Sequence, residues 1–194
     1  MAMPMNQNYS LWLMPTKDQS RLFSTIIHDL ARQYDTPVFE PHATLCSGTF
    51  AGELSVLYEQ VDQLGKEWYP VSLDVRGIEQ TDDYFRFLFV ALTDNHDPSI
   101  FRQAIQTIPN SLPPSVGPHL SLMYSDRIKE IDRARISQAV RRQLPDRVLF
   151  STIQVVMPGT GNWRDVGCWQ VRYTAPPGSM GSVVQLVPGR KPSS

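Results

Sequence analysis

Two histidines sit in matching frames, Pro41-His42-Ala43-Thr44-Leu45 and, 77 residues later, Pro118-His119-Leu120-Ser121-Leu122. Imidazole is the side chain whose ordinary pKa lies nearest neutrality, so two of them facing one pocket supply an acid and a base at once. In an extended strand, residues two apart share a face. His42 then projects with Thr44 and His119 with Ser121, while Ala43, Leu45, Leu120 and Leu122 face the core. Each proline opens its motif, where a strand tolerates a missing N–H. Matched imidazole and hydroxyl pairs have no packing rationale, so chemistry is the better reading. The other two histidines, His28 within a helical pattern and His96 in a loop, have no matching hydroxyl and read as surface residues.

Elements must position those pairs. Tyr9 to Met14 reads as a strand with Leu11 and Leu13 on one face and Ser10, Trp12 and Met14 on the other. Thr16 to Gln19 forms a capping-box pattern, followed by a helix to about Tyr34 that buries Leu22, Phe23, Ile26, Ile27 and Leu30. Gly52 to Gly65 carries a second amphipathic helix with Leu54, Leu57, Tyr58, Val61 and Leu64 on its stripe. Val71 to Ile78 and Tyr84 to Leu92 read as a hairpin through residues 80–83. Asp97-Pro98 starts a helix with Ile100, Phe101, Ala104, Ile105 and Ile108 apolar, and Arg127 to Leu144 is a further helix burying Ile128, Ile131, Ile136 and Val140. Its Arg133, Arg135, Arg141 and Arg142 read as a solvated face. Arg147 to Met157 and Cys168 to Tyr173 are the last strands, around a loop at Pro158 to Asn162. The mixed order predicts an α+β protein, bilobal and pseudo-twofold, with two antiparallel sheets, outer helices and a central cleft. Residues 1–175 form that one domain. Residues 176–194, rich in Pro, Gly and Ser, are a tail, either an extra edge strand or mobile.

Composition narrows the function. Among 194 residues, 18 basic and 19 acidic side chains leave a net charge of −1, which gives no bulk attraction for a long nucleic acid and suits a small phosphorylated substrate better. No stretch approaches the length of an apolar membrane span and no basic-then-apolar leader is evident, so a cytoplasmic protein without membrane association is expected. Cys46 and Cys168 lack zinc spacing; two reduced thiols are expected, and a bridge between them stays open.

Two side chains beside the motifs have ambiguous roles. Trp12 either stacks on a base or ribose or belongs to the core. Strand alternation groups Phe85, Phe87 and Phe89 on one face and Tyr84, Arg86 and Leu88 on the other. Arg86 therefore either opens into the cleft as a phosphate ligand or pairs with a carboxylate.

With these residues in view, the chain resembles the two-histidine phosphoesterase superfamily, and within it the cyclic phosphodiesterases. The resemblance is carried by both motifs, by Tyr9-Ser10-Leu11-Trp12-Leu13-Met14-Pro15 as an opening strand, by Met123-Tyr124 trailing the second motif, and by Trp169 in the final strand. It departs at Arg86, where the plant-type enzymes tend to have an uncharged residue. The resemblance implies hydrolysis of a cyclic phosphodiester on a nucleotide-like ribose, with no cofactor and no obligatory metal, His42 as acid and His119 as base. Thr44 and Ser121 would bind the non-bridging oxygens. It further implies that Tyr124 reaches the phosphate, although its spacing from Ser121 puts it on the opposite face of a regular strand and demands a bulge or the strand's end. Otherwise Tyr124 is an ordinary core aromatic. Two other readings remain open: an RNA 2′,5′-ligase or oligonucleotide phosphodiesterase acting on short RNA ends, and a catalytically idle nucleotide-binding module.

Overall fold

The computed structural model describes residues 6–68, 70–95, 99–127 and 130–175. The expectations for His96, Asp97-Pro98, Ile128 and the 176–194 tail lie outside the described residues, as does the side chain of Ile131. Strands β1 (Gln7–Pro15), β2 (Ala43–Phe50) and β3 (Val71–Gln80) alternate with helices α1 (Lys17–Tyr34) and α2 (Leu54–Trp68). Then follow β4 (Leu88–Thr93), α3 (Ile100–Thr107), the two-residue β5 (Ser111–Leu112), β6 (His119–Met123), α4 (Glu130–Arg141), β7 (Arg147–Pro158) and β8 (Trp169–Thr174).

All strand pairings are antiparallel, and six strands close on themselves in the order β1-β2-β6-β4-β3-β7, with β7 returning to β1. β8 extends the sheet beyond β7, and β5 covers part of the free edge of β2. The order has twofold logic. β1 matches β4, α1 matches α3, β2 matches β6, α2 matches α4 and β3 matches β7, and every pairing in the ring maps onto another or onto itself. The α+β, pseudo-twofold architecture expected from the sequence is therefore present, with two differences: the two antiparallel sheets expected are joined into one sheet of eight strands, and the lobes are composed differently. The lobes are not consecutive halves of the chain, because β3 pairs with β4 of the second half while β7 pairs with β1 of the first.

Across the axis β2 and β6 meet at a single residue pair, Ala43 opposite Leu120. These are the residues between histidine and hydroxyl in the two motifs, so the seam sets both imidazoles beside the axis. Ala43, Leu45, Leu120 and Leu122 all lie in the main core, as alternation from the histidines requires. That core also takes Phe23, Ile26 and Leu30 of α1, Leu57, Val61 and Leu64 of α2, and Ile100, Phe101 and Ala104 of α3. Burying large apolar side chains of this kind stabilises by ~1.5–3 kcal/mol each.

Three local expectations are corrected. Thr16 caps α1 without a side-chain bond, because the Gln19 amide turns instead to β7, donating to Arg147 O (2.8 Å) and accepting from Leu149 N (2.6 Å). The 84–92 strand begins only at Leu88. Asp83 accepts from Phe85 N and Thr81 Oγ1 donates to Arg86 O, so Tyr84–Arg86 winds into one 3-10 turn and side-chain turn chemistry overrides alternation. Arg133 is not on a solvated face: its guanidinium lies over Phe87 (5.1 Å) and bonds Thr81 O and Asp82, fixing the same turn from α4. Cys46 is buried in β2 while Cys168 is exposed just before β8, and both are free thiols. No helix among the described residues is long and apolar enough to cross a membrane.

Candidate active site

The two motifs bring their polar side chains to one cavity of about 350 Å³, whose wall includes His42, Thr44, His119 and Ser121 together with Trp12, Arg86 and Tyr124. Each imidazole is held in the same way. His42 Nδ1 lies 2.6 Å from Glu40 O and His119 Nδ1 lies 2.9 Å from Gly117 O, in each case the carbonyl two residues earlier. A carbonyl only accepts, so Nδ1 carries the proton in both rings and Nε2 is left for the cavity. Burial pushes the His42 pKa down to about 4, the neighbouring His119 adding to the effect and the Glu40 carbonyl opposing it. His119 is lowered too, first by burial and then by Arg86, with Gly117 O and Asp83 acting against this. With the cavity free, both rings are neutral at pH 7.

The rings differ in their neighbours. His42 lies flat on the Trp12 indole, with ring centroids 3.6 Å apart and planes 10° apart, while Trp169 stands edge-on to both. Trp12 Nε1 donates to Ser10 Oγ (2.9 Å), which also receives Ser47 Oγ (2.9 Å). The indole is 4% exposed, so little of it is left to meet a ligand. His119 instead meets Phe89 edge-on at 5.2 Å. The hydroxyls differ as well. Among the described residues Thr44 Oγ1 has no hydrogen-bond partner, whereas Ser121 Oγ donates to Phe85 O at 2.8 Å.

Tyr124 reaches the cavity through both devices its spacing required. β6 ends at Met123, and its register against β4 slips because Ser121 pairs with Phe89 but Met123 with Leu88, leaving Leu122 as an extra residue. One extra residue reverses the facing of everything beyond it. The same slip occurs in β2, where Thr44 pairs with Trp12 and Cys46 with Leu11, leaving Leu45 over. Tyr124 stacks on Phe39 at 3.8 Å; burial drives its pKa further above the ordinary value, so it stays protonated.

Arg86 does both things the sequence left open: it lines the cavity and its guanidinium pairs with Asp83 (3.1 Å) while donating to Ser115 Oγ. His28 is exposed on α1, as expected. The wall also contains residues that motif spacing did not single out. Ser47 stands in β2 as the counterpart of Tyr124, 77 residues earlier, and the duplication itself was the signal for it. Asp83, Phe85, Ser115 and Trp163 come from turns. Trp163 is held by its carbonyl, which accepts Trp169 Nε1 at 2.9 Å, and nothing in the sequence marked it beyond an aromatic in a glycine-rich loop.

Comparison with solved structures finds similar chains at low identity. Usb1 of Kluyveromyces marxianus is 14% identical over 77% of this chain and 93% of its own, with a TM-score of 0.41, and the same protein with uridine monophosphate gives 14%, 77%, 94% and 0.39. Escherichia coli LigT complexed with ATP is 13% identical over 79% of this chain and 88% of its own, with a TM-score of 0.44. No curated protein sequence matches significantly. The model of the cyclic phosphodiesterase-like protein family matches residues 5–172, which includes both histidine motifs and every strand but the end of β8. The chain thus belongs to the cyclic phosphodiesterase-like protein family.

Proposed function

We propose that the protein hydrolyses a cyclic phosphodiester on a nucleotide-like ribose, a nucleoside 2′,3′-cyclic phosphate or an ADP-ribose cyclic phosphate, to a phosphomonoester. The observation that carries this is the pair of imidazoles, each tied at Nδ1 to a main-chain carbonyl and each left with Nε2 for one cavity. A neutral Nε2 takes a proton from water as the hydroxide attacks phosphorus. A protonated Nε2 on the other side gives its proton to the departing ribose oxygen, and the two rings exchange protonation states over the turnover.

His42 is the acid in this scheme and His119 the base. An imidazolium lying flat on an indole is favoured by the ring's electron-rich face, whereas Arg86 opposes a second cation at His119. The anionic substrate supplies the charge that lifts His42 from its low value in the free protein. Thr44, with its proton uncommitted, donates to a non-bridging oxygen, and Arg86 neutralises the charge that grows there. Ser121 joins only by turning its proton away from Phe85 O. Trp12 acts through His42 as a positioning residue rather than as a stacking platform for the base.

Phosphorus NMR of adenosine 2′,3′-cyclic phosphate incubated with the protein in EDTA tests the proposal. One new phosphomonoester resonance is expected, and its position identifies the bond that breaks. An unchanged spectrum from folded protein, with ADP-ribose 1″,2″-cyclic phosphate equally inert, overturns it.

A further inference from the structure

The histidine cavity carries fixed charge at one place on its wall. Among the described residues that line it, only His42, Asp83, Arg86, His119 and Tyr124 can change charge. Tyr124 stays protonated, and burial lowers both imidazoles into their neutral form at pH 7. One cation and one carboxylate are left, facing each other at 3.1 Å. Beyond the wall stand Arg133 with Asp82 behind the turn, and Arg164 and Arg127 with Asp126 beside Tyr84.

The Asp83–Arg86 pair is fixed at both ends. One carboxylate oxygen of Asp83 accepts from Phe85 N (3.0 Å) and caps the 3-10 turn, which leaves the other oxygen for Arg86, three residues on. The opposite side of the guanidinium donates to Ser115 Oγ, in the loop before β6. A guanidinium has five N–H donors, and these partners take one on each terminal nitrogen, so three remain for a ligand. Asp83 therefore leaves Arg86 able to bind a phosphate oxygen while cancelling its charge. Arg86 in turn holds the carboxyl below its ordinary range, so Asp83 is ionised at neutral pH.

The reaction changes the charge of what the cavity holds. A cyclic phosphodiester is a monoanion. Opening it with water gives a phosphomonoester that loses a second proton at about pH 6. We propose that Asp83 separates substrate from product: its carboxylate, set on Arg86, trims the positive charge of the cavity to what a monoanionic diester needs, so that the dianionic monoester is held poorly and leaves. The role rests on the cyclic phosphodiester reading of the cavity. Without Asp83 the wall has a net positive charge and attracts both ligands more strongly, the dianion about twice as strongly as the monoanion. The carboxylate thus costs some substrate affinity and costs the product more.

Asp83→Asn keeps an amide oxygen for Phe85 N, so the turn retains its cap. Two ligands that do not turn over isolate the charge: 3′-deoxyadenosine 2′-phosphate and its methyl ester, a monoanionic diester without the hydroxyl needed to close a ring. Both meet the same histidines, so the ratio of their affinities, from calorimetric titration, reads the second charge of the monoester. At pH 8 and low salt, Asp83→Asn should tighten the monoester on the order of fivefold more than the methyl ester. At pH 5, where both ligands are monoanions, the two should gain alike, and high salt should shrink the difference because the pair is partly exposed. Adding Ser115→Asp returns a carboxylate to the guanidinium from its other side and should close the difference, a rescue that a residue merely shaping the turn would not show. Equal gains at pH 8, or a difference that the double variant leaves open, overturn the role of Asp83. The expected pattern in a protein that opens no cyclic ester supports the charge filter and assigns the failure to the hydrolase reading; no binding of either ligand to the unaltered protein overturns both.

Discussion

An imidazole held at Nδ1 by a carbonyl exchanges protons only at Nε2, so the backbone at Glu40 and Gly117 decides where proton transfer occurs. Replacing either histidine by alanine should lower turnover by ~10²–10⁴, measured as single-turnover rates on a cyclic nucleotide. The pH profile of kcat/KM should be bell-shaped, with limbs belonging to the coupled pair. Both rings are lowered in the free protein, so its maximum should fall on the acid side of the ordinary imidazole value. The rising limb reports the base losing its proton and the falling limb the acid losing its own. Trp12→Leu removes the indole that favours the imidazolium, so the falling limb should move to lower pH and kcat should drop; an unchanged profile would remove Trp12 from the mechanism. At this scale the sequence was informative because the motif is duplicated. His42, Thr44, His119, Ser121, Trp12, Arg86 and Tyr124 all reach one wall. Trp163 and Ser115 were illegible, since a turn residue's approach to a distant strand leaves no periodic trace.

Two bulges aim the elements that carry these residues. Leu45 and Leu122, the residues that close the two motifs, are each the extra residue of their strand, so Ser47 and Tyr124 turn to the cavity where strict alternation points them away. Alternation predicts faces only while pairing stays in step, and the motif's own last residue breaks it. The stripes of α1, α2 and α3, with Ile136 and Val140 of α4, were read correctly because burial follows the 3.6-residue period directly. The Thr16 capping box failed because Gln19 had a better use as a surrogate strand edge for β7. Gln19→Ala should therefore cost about 1 kcal/mol, the net worth of bonds between partly solvated groups. It should appear as a lower urea midpoint with an unchanged slope, whereas Thr16→Ala, whose side chain makes no capping bond, should shift the midpoint less.

Over the whole molecule, keeping His42 neutral in the core ties stability to pH. Its folded value of about 4 lies below the ordinary 6.5, so between these values the unfolded chain binds the extra proton. Stability is full above pH 6.5 and declines as pH falls toward 4, by about 3 kcal/mol for this group alone, and His119 acts in the same direction. Urea unfolding at pH 7.5 and 4.5 should show the loss, and His42→Phe should reduce it. The closed ring has a consequence of another kind. Each half of the chain surrenders its third strand to the other, β3 to β4 and β7 to β1, so neither half has a complete sheet of its own. Two polypeptides made by cutting between Asp82 and Asp83 should be unstructured apart and recover a folded circular dichroism spectrum when mixed. A single ancestral unit of this plan could close its sheet only with a second copy of itself, as an exchanged homodimer with two identical histidine motifs at its axis. Within one chain carrying both copies the two equivalent positions are free to differ, as Ser47 and Tyr124 do.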